Sequence, residues 1–406
     1  MERDINKLCM HFCPEGVDYY KLGELGKFYG GLTGKNKSDF SDGNAKFISY
    51  RNVYNNPALK LDVEDKVKIS SNEKQNTLER GDIIFTGSSE TADECGLSSV
   101  VTQDVNEKIY LNSFCFIFRF KNPKIILPDF SKHLFRSEYL RHQIGKTASG
   151  VTRFNVSKKL MANVTIPLPP LPIQQEIIRI LDTFTNLTAE LTAELTARRK
   201  QYEYYRDELL KTGEQVSLYE VAQYSKDRIL ASELTDENYV GVDNLLPNKQ
   251  GKIKSEHTPI EGKFVRFVKE DILIGNIRPY LKKIWFSDCV GGTNGDVLTI
   301  RVIDKERVLP RFLYFVLSTE SFFNYDMNNA KGAKMPRGDK KAVMNYQFYL
   351  PSLEIQEKVV SILETFDNLC NGFEYGLPAE IYARQQQYEY YRDELLNFKE
   401  LHNKED

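Results

Sequence analysis

The sequence predicts an α+β protein: two mixed α/β domains related by an approximate twofold axis, separated by two long helices packed as an antiparallel coiled coil. Three observations carry this expectation. The decamer QYEYYRDELL is written twice without change, at residues 201–210 and 387–396. A much longer likeness surrounds it, so the chain repeats itself throughout. Behind each Pro-rich breaker the apolar period switches from strand-like alternation to helical spacing.

The repeat is followed backwards from the decamer. Residues 167–184 (PLPPLPIQQEIIRILDTF) match 349–366 (YLPSLEIQEKVVSILETF) at an offset of 182. At the same offset 126–135 answer 308–317, Arg119 answers Arg301, and SGVTRFNVSKKLMAN from Ser149 answers KGAKMPRGDKKAVMN from Lys331. GDIIFTG near Asp82 pairs with EDILIGN near Asp271 at 189, and Val17, Tyr20 and Leu22 pair with Val216, Tyr219 and Val221 at 199. The homologous units are therefore read as 14–212 and 213–406. The losses that reduce the offset from 199 to 182 fall in the front halves, and from about residue 114 to 184 there is no gap.

SFCFIFRF and GDVLTIRVI alternate in a β-rich composition, and GDIIF and EDILI are short apolar runs behind turn signals, so each front half is mixed β with short helices. From Ile173 to Thr212 no Gly or Pro occurs. Ile177, Leu181, Phe184, Leu187, Leu191, Leu195, Tyr202, Tyr205 and Leu209 recur there at spacings dominated by three and four. This is one amphipathic helix of roughly 60 Å. Gly372, Gly376 and Pro378 interrupt its counterpart, with Pro378 suited to the first turn of a new helix carrying the second decamer. Such a stripe requires a partner, and the equivalent helix of the other unit supplies one. The tandem tetrapeptide at 188–195, TAEL twice, reads as a leucine stripe or as a ruler: one more unit would add about 6 Å, near two base-pair steps.

Composition narrows the function. The 406 residues are 41% hydrophobic and 28% charged, which indicates a globular chain with proper cores. No run approaches a membrane span, the start lacks a signal-peptide layout, and six cysteines show no framework spacing. A cytoplasmic location with reduced thiols is expected. Cys9, His11 and Cys13 hint at a metal, but no second ligand pair follows, so no metal is assigned. The net charge of −2 conceals local asymmetry: between Lys121 and Leu160 nine Lys or Arg stand against Asp129 and Glu138, and KGAKMPRGDKK carries five basic residues and one acid. No methyltransferase motif is present. GLTGKNK at Gly31 fails as a phosphate loop, because Tyr29 stands where Gly is required and Asn36 replaces Ser or Thr. Among five histidines no catalytic arrangement stands out, and the chain is read as non-catalytic.

The domain–helix–domain–helix repeat, the segments LPPLPIQQEIIRILDTF and LPSLEIQEKVVSILETF, LTAELTAELTAR, GLPAEI and the twice-written decamer together resemble the DNA-specificity subunits of type I restriction-modification systems. LGELGKFYGGLTGKNKSDF and KMPRGDKK are similar to parts of that family's target-recognition domains. The resemblance covers essentially the whole chain. It implies target-recognition domains at 1–170 and 213–352 and spacer helices at 171–212 and 353–406, with each recognition domain reading half of an asymmetric bipartite double-stranded DNA site. The helices would set the spacing and hold two adenine-methyltransferase subunits. Restriction subunits with ATP-driven translocase activity would join that core. S-adenosylmethionine, ATP and Mg are then expected on the partner subunits and no cofactor on this chain. A coiled-coil scaffold without sequence-specific DNA binding stays open as the other reading.

Phosphates call for Lys, Arg and small polar groups on loops, and base edges for planar bidentate groups. The candidates in the first domain are Lys35, Asn36, Lys37, Ser49, Tyr50, Arg51, Asn52, Ser88, Ser89, Thr147, Ser149 and Arg153. In the second they are Asp243, Asn244, Asn276, Arg278, Tyr280, Asn294, Lys331, Lys334 and Arg337. The loops after Thr147 and Lys331 are favoured, because a basic Gly-containing loop falls at the same place in both copies. In the decamer, Tyr202, Tyr205 and Leu209 share a face, while Gln201, Glu203, Arg206, Asp207 and Glu208 are taken as exposed. Helix packing explains similarity. Identity at exposed letters points to an identical partner reading both copies, through Tyr202, Glu203, Arg206, Tyr388, Glu389 and Arg392.

Overall fold

A computed structural model of the protein describes residues 10–371 and 376–401. Gly372 and Cys9 lie outside these. The chain forms two compact units, residues 1–190 with 382–406, and residues 191–381. These cut across the repeat boundaries of the sequence, for a reason that lies in the helices.

In the first unit the strands Gly26–Gly30, Cys115–Phe120, Ile83–Thr86 and Ser98–Val100 lie side by side in that order, all antiparallel. In the second, Ala222–Tyr224, Val297–Val302, Ile272–Gly275 and Ile284–Phe286 repeat the order. The alternation in CFIFRF has a structural cause. Phe116, Phe118 and Phe120 enter the core that also holds the helices, while Cys115 and Ile117 enter a second core on the opposite face. Arg119 forks onto the buried Asp82 carboxylate with two 2.7 Å bonds, and Arg301 forks onto Asp271 at 2.9 and 2.8 Å. The matched arginines are therefore sheet clamps.

The pairing corrects one part of the repeat alignment. Leu22 N–H donates to Val164 O and Leu218 N–H to Tyr346 O, both at 2.9 Å. Since 164 and 346 are 182 apart, Leu22 corresponds to Leu218, an offset of 196, and not to Val221. The slip of three residues is close to one helical turn, and it leaves apolar letters in phase along the short helices Leu22–Leu25 and Leu218–Val221.

The long helix is unbroken over Leu171–Leu209, and its counterpart is split into Leu353–Asn371 and Leu377–Leu395, with Pro378 in the first turn of the latter. A buried glutamine fixes each domain to the start of its helix. Gln174 accepts from Leu127 N–H (2.9 Å) and donates to Ile125 O (3.0 Å) and Pro169 O (2.8 Å). Gln356 repeats this at Leu309 (2.9 Å), Arg307 O (3.0 Å) and Pro351 O (2.9 Å). The shared IQ of the two segments is thus a latch.

The decamers are exchanged. The first-written copy belongs to the second unit, where Tyr202 and Tyr205 pack on Phe366 and Arg199 donates to Cys370 O, so the two helices run antiparallel there. The second-written copy belongs to the first unit, where Tyr391 stacks on Phe184 at 5.2 Å and Tyr388 bonds the buried His133. Just past it, Val17 N–H donates to Lys399 O and Leu401 N–H to Val17 O, both at 2.9 Å. In the second unit the decamer instead runs directly into the strand Glu214–Ser217. Each unit therefore consists of one domain, part of its own helix and the decamer written after the other domain.

This exchange corrects the reading of Arg206 as exposed. It is 1% exposed, bonds Asp207 at 2.9 and 2.8 Å, and lies over Tyr202. The half-buried Arg392 likewise bonds Asp393 and lies over Tyr388, and Asp393 in turn accepts from Glu138 N–H at 2.8 Å. Tyr202, Arg206 and Leu209 are four and three residues apart on one helical face, so the arginine stem covers apolar surface while its fork finds the next residue's carboxylate. Tyr202, Arg206, Tyr388 and Arg392 are thereby engaged within their units. Glu203 is exposed and Glu389 half-buried; the most exposed tyrosines of the decamers are Tyr204 (64%) and Tyr390 (59%), and Tyr205, expected on the packed face, is itself 43% exposed.

Candidate nucleic-acid interface

In the first unit the favoured loop is a hairpin. Ala148–Ser149 pairs with Phe154–Val156, and the latter pairs onward with Ser88–Ser89, with Asn155 opposite Ser88. In the second unit Lys331 and Ile277 both bridge to Arg337. Ile277 stands 189 after Ser88 and Arg337 stands 182 after Asn155, so the same ribbon occurs in the same register in both units. Gly150 (φ 152°) and Gly332 (φ 99°) open the turn in a region that side chains disfavour, which explains their shared place in the two loops.

The first ribbon borders a cleft of about 550 Å³, lined by Tyr50, Ser88, Ser89 and Arg153 of the sequence candidates. Sequence reasoning missed Tyr54, Glu90, Glu94, Phe114 and Thr152 on the same walls. The exposed Arg153 donates to Ser88 Oγ at 3.3 and 3.1 Å and lies over Phe114. Tyr50 donates to Ser88 O at 2.9 Å. Ser149 is exposed on the hairpin itself.

Other candidates have intramolecular work. Thr147 is buried and donates to Ile144 O. Lys35 has a side chain only 9% exposed and pairs with Glu73 at 2.6 Å, which holds that carboxyl near 2. Asn36 caps the turn Lys37–Phe40 through Ser38 N–H. Asn52 bonds both Lys60 O and Lys60 N–H. The buried Thr147 is corrected to a structural position, while Lys35, Asn36 and Asn52 have partners within the chain: short polar side chains and a lysine near a glutamate satisfy loop backbone as readily as a ligand. Lys37 and Arg51 are exposed and Ser49 makes no cap bond, but none of these lines the cleft.

In the second unit Arg278, Lys331, Lys334 and Arg337 are exposed along the ribbon, and Arg278 N–H donates to Pro336 O at 2.7 Å. Arg278 has φ 53°, in the left-handed region, and Tyr280 follows at 49% exposure. Arg337 reaches Asp296 at 3.2 Å, and Lys331 reaches Asp339, holding that carboxyl at about 2. Asp243 is exposed, and Asn294 caps its own turn by accepting from Asp296 N–H. Asn244 is corrected: it is buried and ties Gly241, Tyr239 and Ile253 together. Asn276 is buried behind the ribbon, where its Oδ1 and both oxygens of the buried Asp326 have no hydrogen-bond partner, and a Cβ at Gly338 would stand 2.7 Å from that Oδ1 and closer still to Asp326 Oδ1.

The comparisons with known proteins agree with this duplicated architecture. Residues 14–198 and 211–383 both match the type I restriction modification DNA specificity domain. The chain belongs to that family. It is 32% identical over 275 residues to the Escherichia coli type I restriction enzyme EcoR124I/EcoR124II specificity subunit, a match covering 60% of this chain and 65% of that one. It shares its fold with a chain solved in a study of complex assembly and conformational transition of the type I R-M system, at a TM-score of 0.62, 14% identity, and coverage of 94% and 98%. The M. genitalium type I restriction-modification S subunit gives a TM-score of 0.50 at 14% identity, with coverage of 94% and 96%. Among the described residues of this specificity-domain chain, no group of three or more His, Cys, Asp or Glu could hold a metal, and no helix is long and apolar enough to cross a membrane.

Proposed function

We propose that this chain is the DNA-reading, non-catalytic subunit of a type I restriction-modification complex. Each unit reads one half of an asymmetric bipartite site, and the helices set the interval between the halves. The observation that carries this is the ribbon repeated in one register with different side chains: Ser88, Ser89, Arg153 and Asn155 in one unit, Ile277, Arg278, Met335 and Arg337 in the other. A constant backbone platform with divergent side chains suits two different base sequences. Two adenine-methyltransferase subunits would dock on the outward faces of the decamers, where Tyr204 and Tyr390 are exposed with identical neighbours. S-adenosylmethionine, ATP and Mg belong to those subunits and to the translocase subunits.

The test is to co-express the chain with a cognate methyltransferase subunit and map methylated adenines across a genome. A split motif with a fixed spacer is expected, and one added TAEL unit should lengthen only the spacer. Methylation without a split motif would favour a scaffold instead.

A further inference from the structure

The cleft of the first unit contains a feature that general DNA affinity does not explain. Glu94 stands in it as an anchored carboxylate, accepting from Tyr54 Oη at 2.6 Å and from Ser89 Oγ at 3.2 Å. Those bonds, Tyr54 foremost, keep its proton affinity low, so it is an acceptor and an anion. Facing a phosphate it would repel. On a base edge in the major groove it has a partner, because cytosine N4 and adenine N6 carry the amino donors.

In the same cleft Arg153 presents the opposite set. Its fork is held by Ser88 Oγ and the Phe114 ring, and the group that offers a double acceptor to such a fork is guanine, through O6 and N7. Glu94 and Arg153 line the same cleft, the first anchored on Ser89 and the second on Ser88, so acceptor and donor are offered to one ligand face. An adenine–thymine pair would satisfy Glu94 but would place the thymine O4 and methyl before the arginine. We infer that Glu94 and Arg153 read one guanine–cytosine pair of the half-site bound by the first unit, the carboxylate taking the cytosine amino group and the guanidinium the guanine edge. This rests on the proposed role as a specificity subunit.

The second unit differs at this place. The segment between the paired strands is 275–283 where the first unit has 86–97, and it carries Arg278, Lys282 and Lys283 where the longer one carries Glu90, Asp93 and Glu94. The reading is therefore specific to one half-site.

The test uses the chain co-expressed with its methyltransferase subunit, in wild-type, Glu94→Gln and Arg153→Ala forms, mapping methylated adenines and timing methylation of duplexes varied at each position. Glu94→Gln keeps the shape of the side chain. It should cut discrimination at one guanine–cytosine position by about 5- to 150-fold, the equivalent of ~1–3 kcal/mol, and Arg153→Ala should relax the same position. The other half-site should keep every letter. Uniform slowing on all duplexes, relaxation at an adenine–thymine pair, or relaxation of two different positions would overturn the inference. A wild-type chain that directs no split motif would overturn the specificity-subunit reading beneath it.

Discussion

Replacing Gln356 by alanine tests whether the paired glutamines hold each domain to its helix. The change removes two donations, to Arg307 O and Pro351 O, and one acceptance, from Leu309 N–H, at a side chain with no solvent exposure. At ~1 kcal/mol net per hydrogen bond, three bonds set a floor of about 3 kcal/mol. The vacated volume and the backbone groups left without partners raise the expected loss to about 4–5 kcal/mol. For a unit of this size that lowers the transition by about 10–15 °C, readable by scanning calorimetry. Gln174→Ala should do the same to the other unit, and the double variant should add the two losses because the sites share no partner. A loss under about 1 kcal/mol at either position would refute the latch.

Three further expectations follow from single residues. Burial lowers the proton affinity of His133, which bonds Tyr388 and Asp182, so the unfolded state takes up the proton first. The first unit should therefore lose stability as pH falls through the ordinary histidine value of about 6.5, and His133→Gln should flatten that dependence in pH-resolved unfolding. Asp326 is the opposite case: burial pushes its carboxyl up to about 6, so the folded state keeps a proton that the unfolded state releases above about 4. The second unit should weaken as pH rises from 4 to 6, and Asp326→Asn should stabilise it by about 2–3 kcal/mol at pH 7.5 and by almost nothing at pH 4. Tyr204→Ala with Tyr390→Ala should reduce co-purification of the methyltransferase subunit while moving thermal stability by less than about 0.5 kcal/mol.

Much of the architecture was legible because it depends on period. The strands at Ile83–Thr86, Cys115–Phe120, Ile272–Gly275 and Val297–Val302 and the helix Leu171–Leu209 follow from alternation, helical spacing and the lack of breakers. The exchange of decamers was hidden, since two identical strings look alike whichever domain they pack against. Arg206 was misplaced because charge was read as exposure, whereas a long stem and a neighbouring aspartate allow burial. Glu94 was not legible because phosphates and most base edges suggest Lys, Arg, small polar groups and amides before a glutamate. The signal that could have found it is the lengthened acidic segment after GDIIFTG, present in one copy and absent from the other.

The central claim is that each unit governs its own half of the DNA site. The most direct measurement maps methylated adenines directed by the wild-type chain and by a Lys334→Ala, Arg337→Ala variant, whose changes lie on the exposed ribbon of the second unit. The account predicts that the letters of one half-site relax or vanish while those of the other half and the spacer stay fixed. Relaxation of both halves together, or a motif unchanged in either, would contradict it.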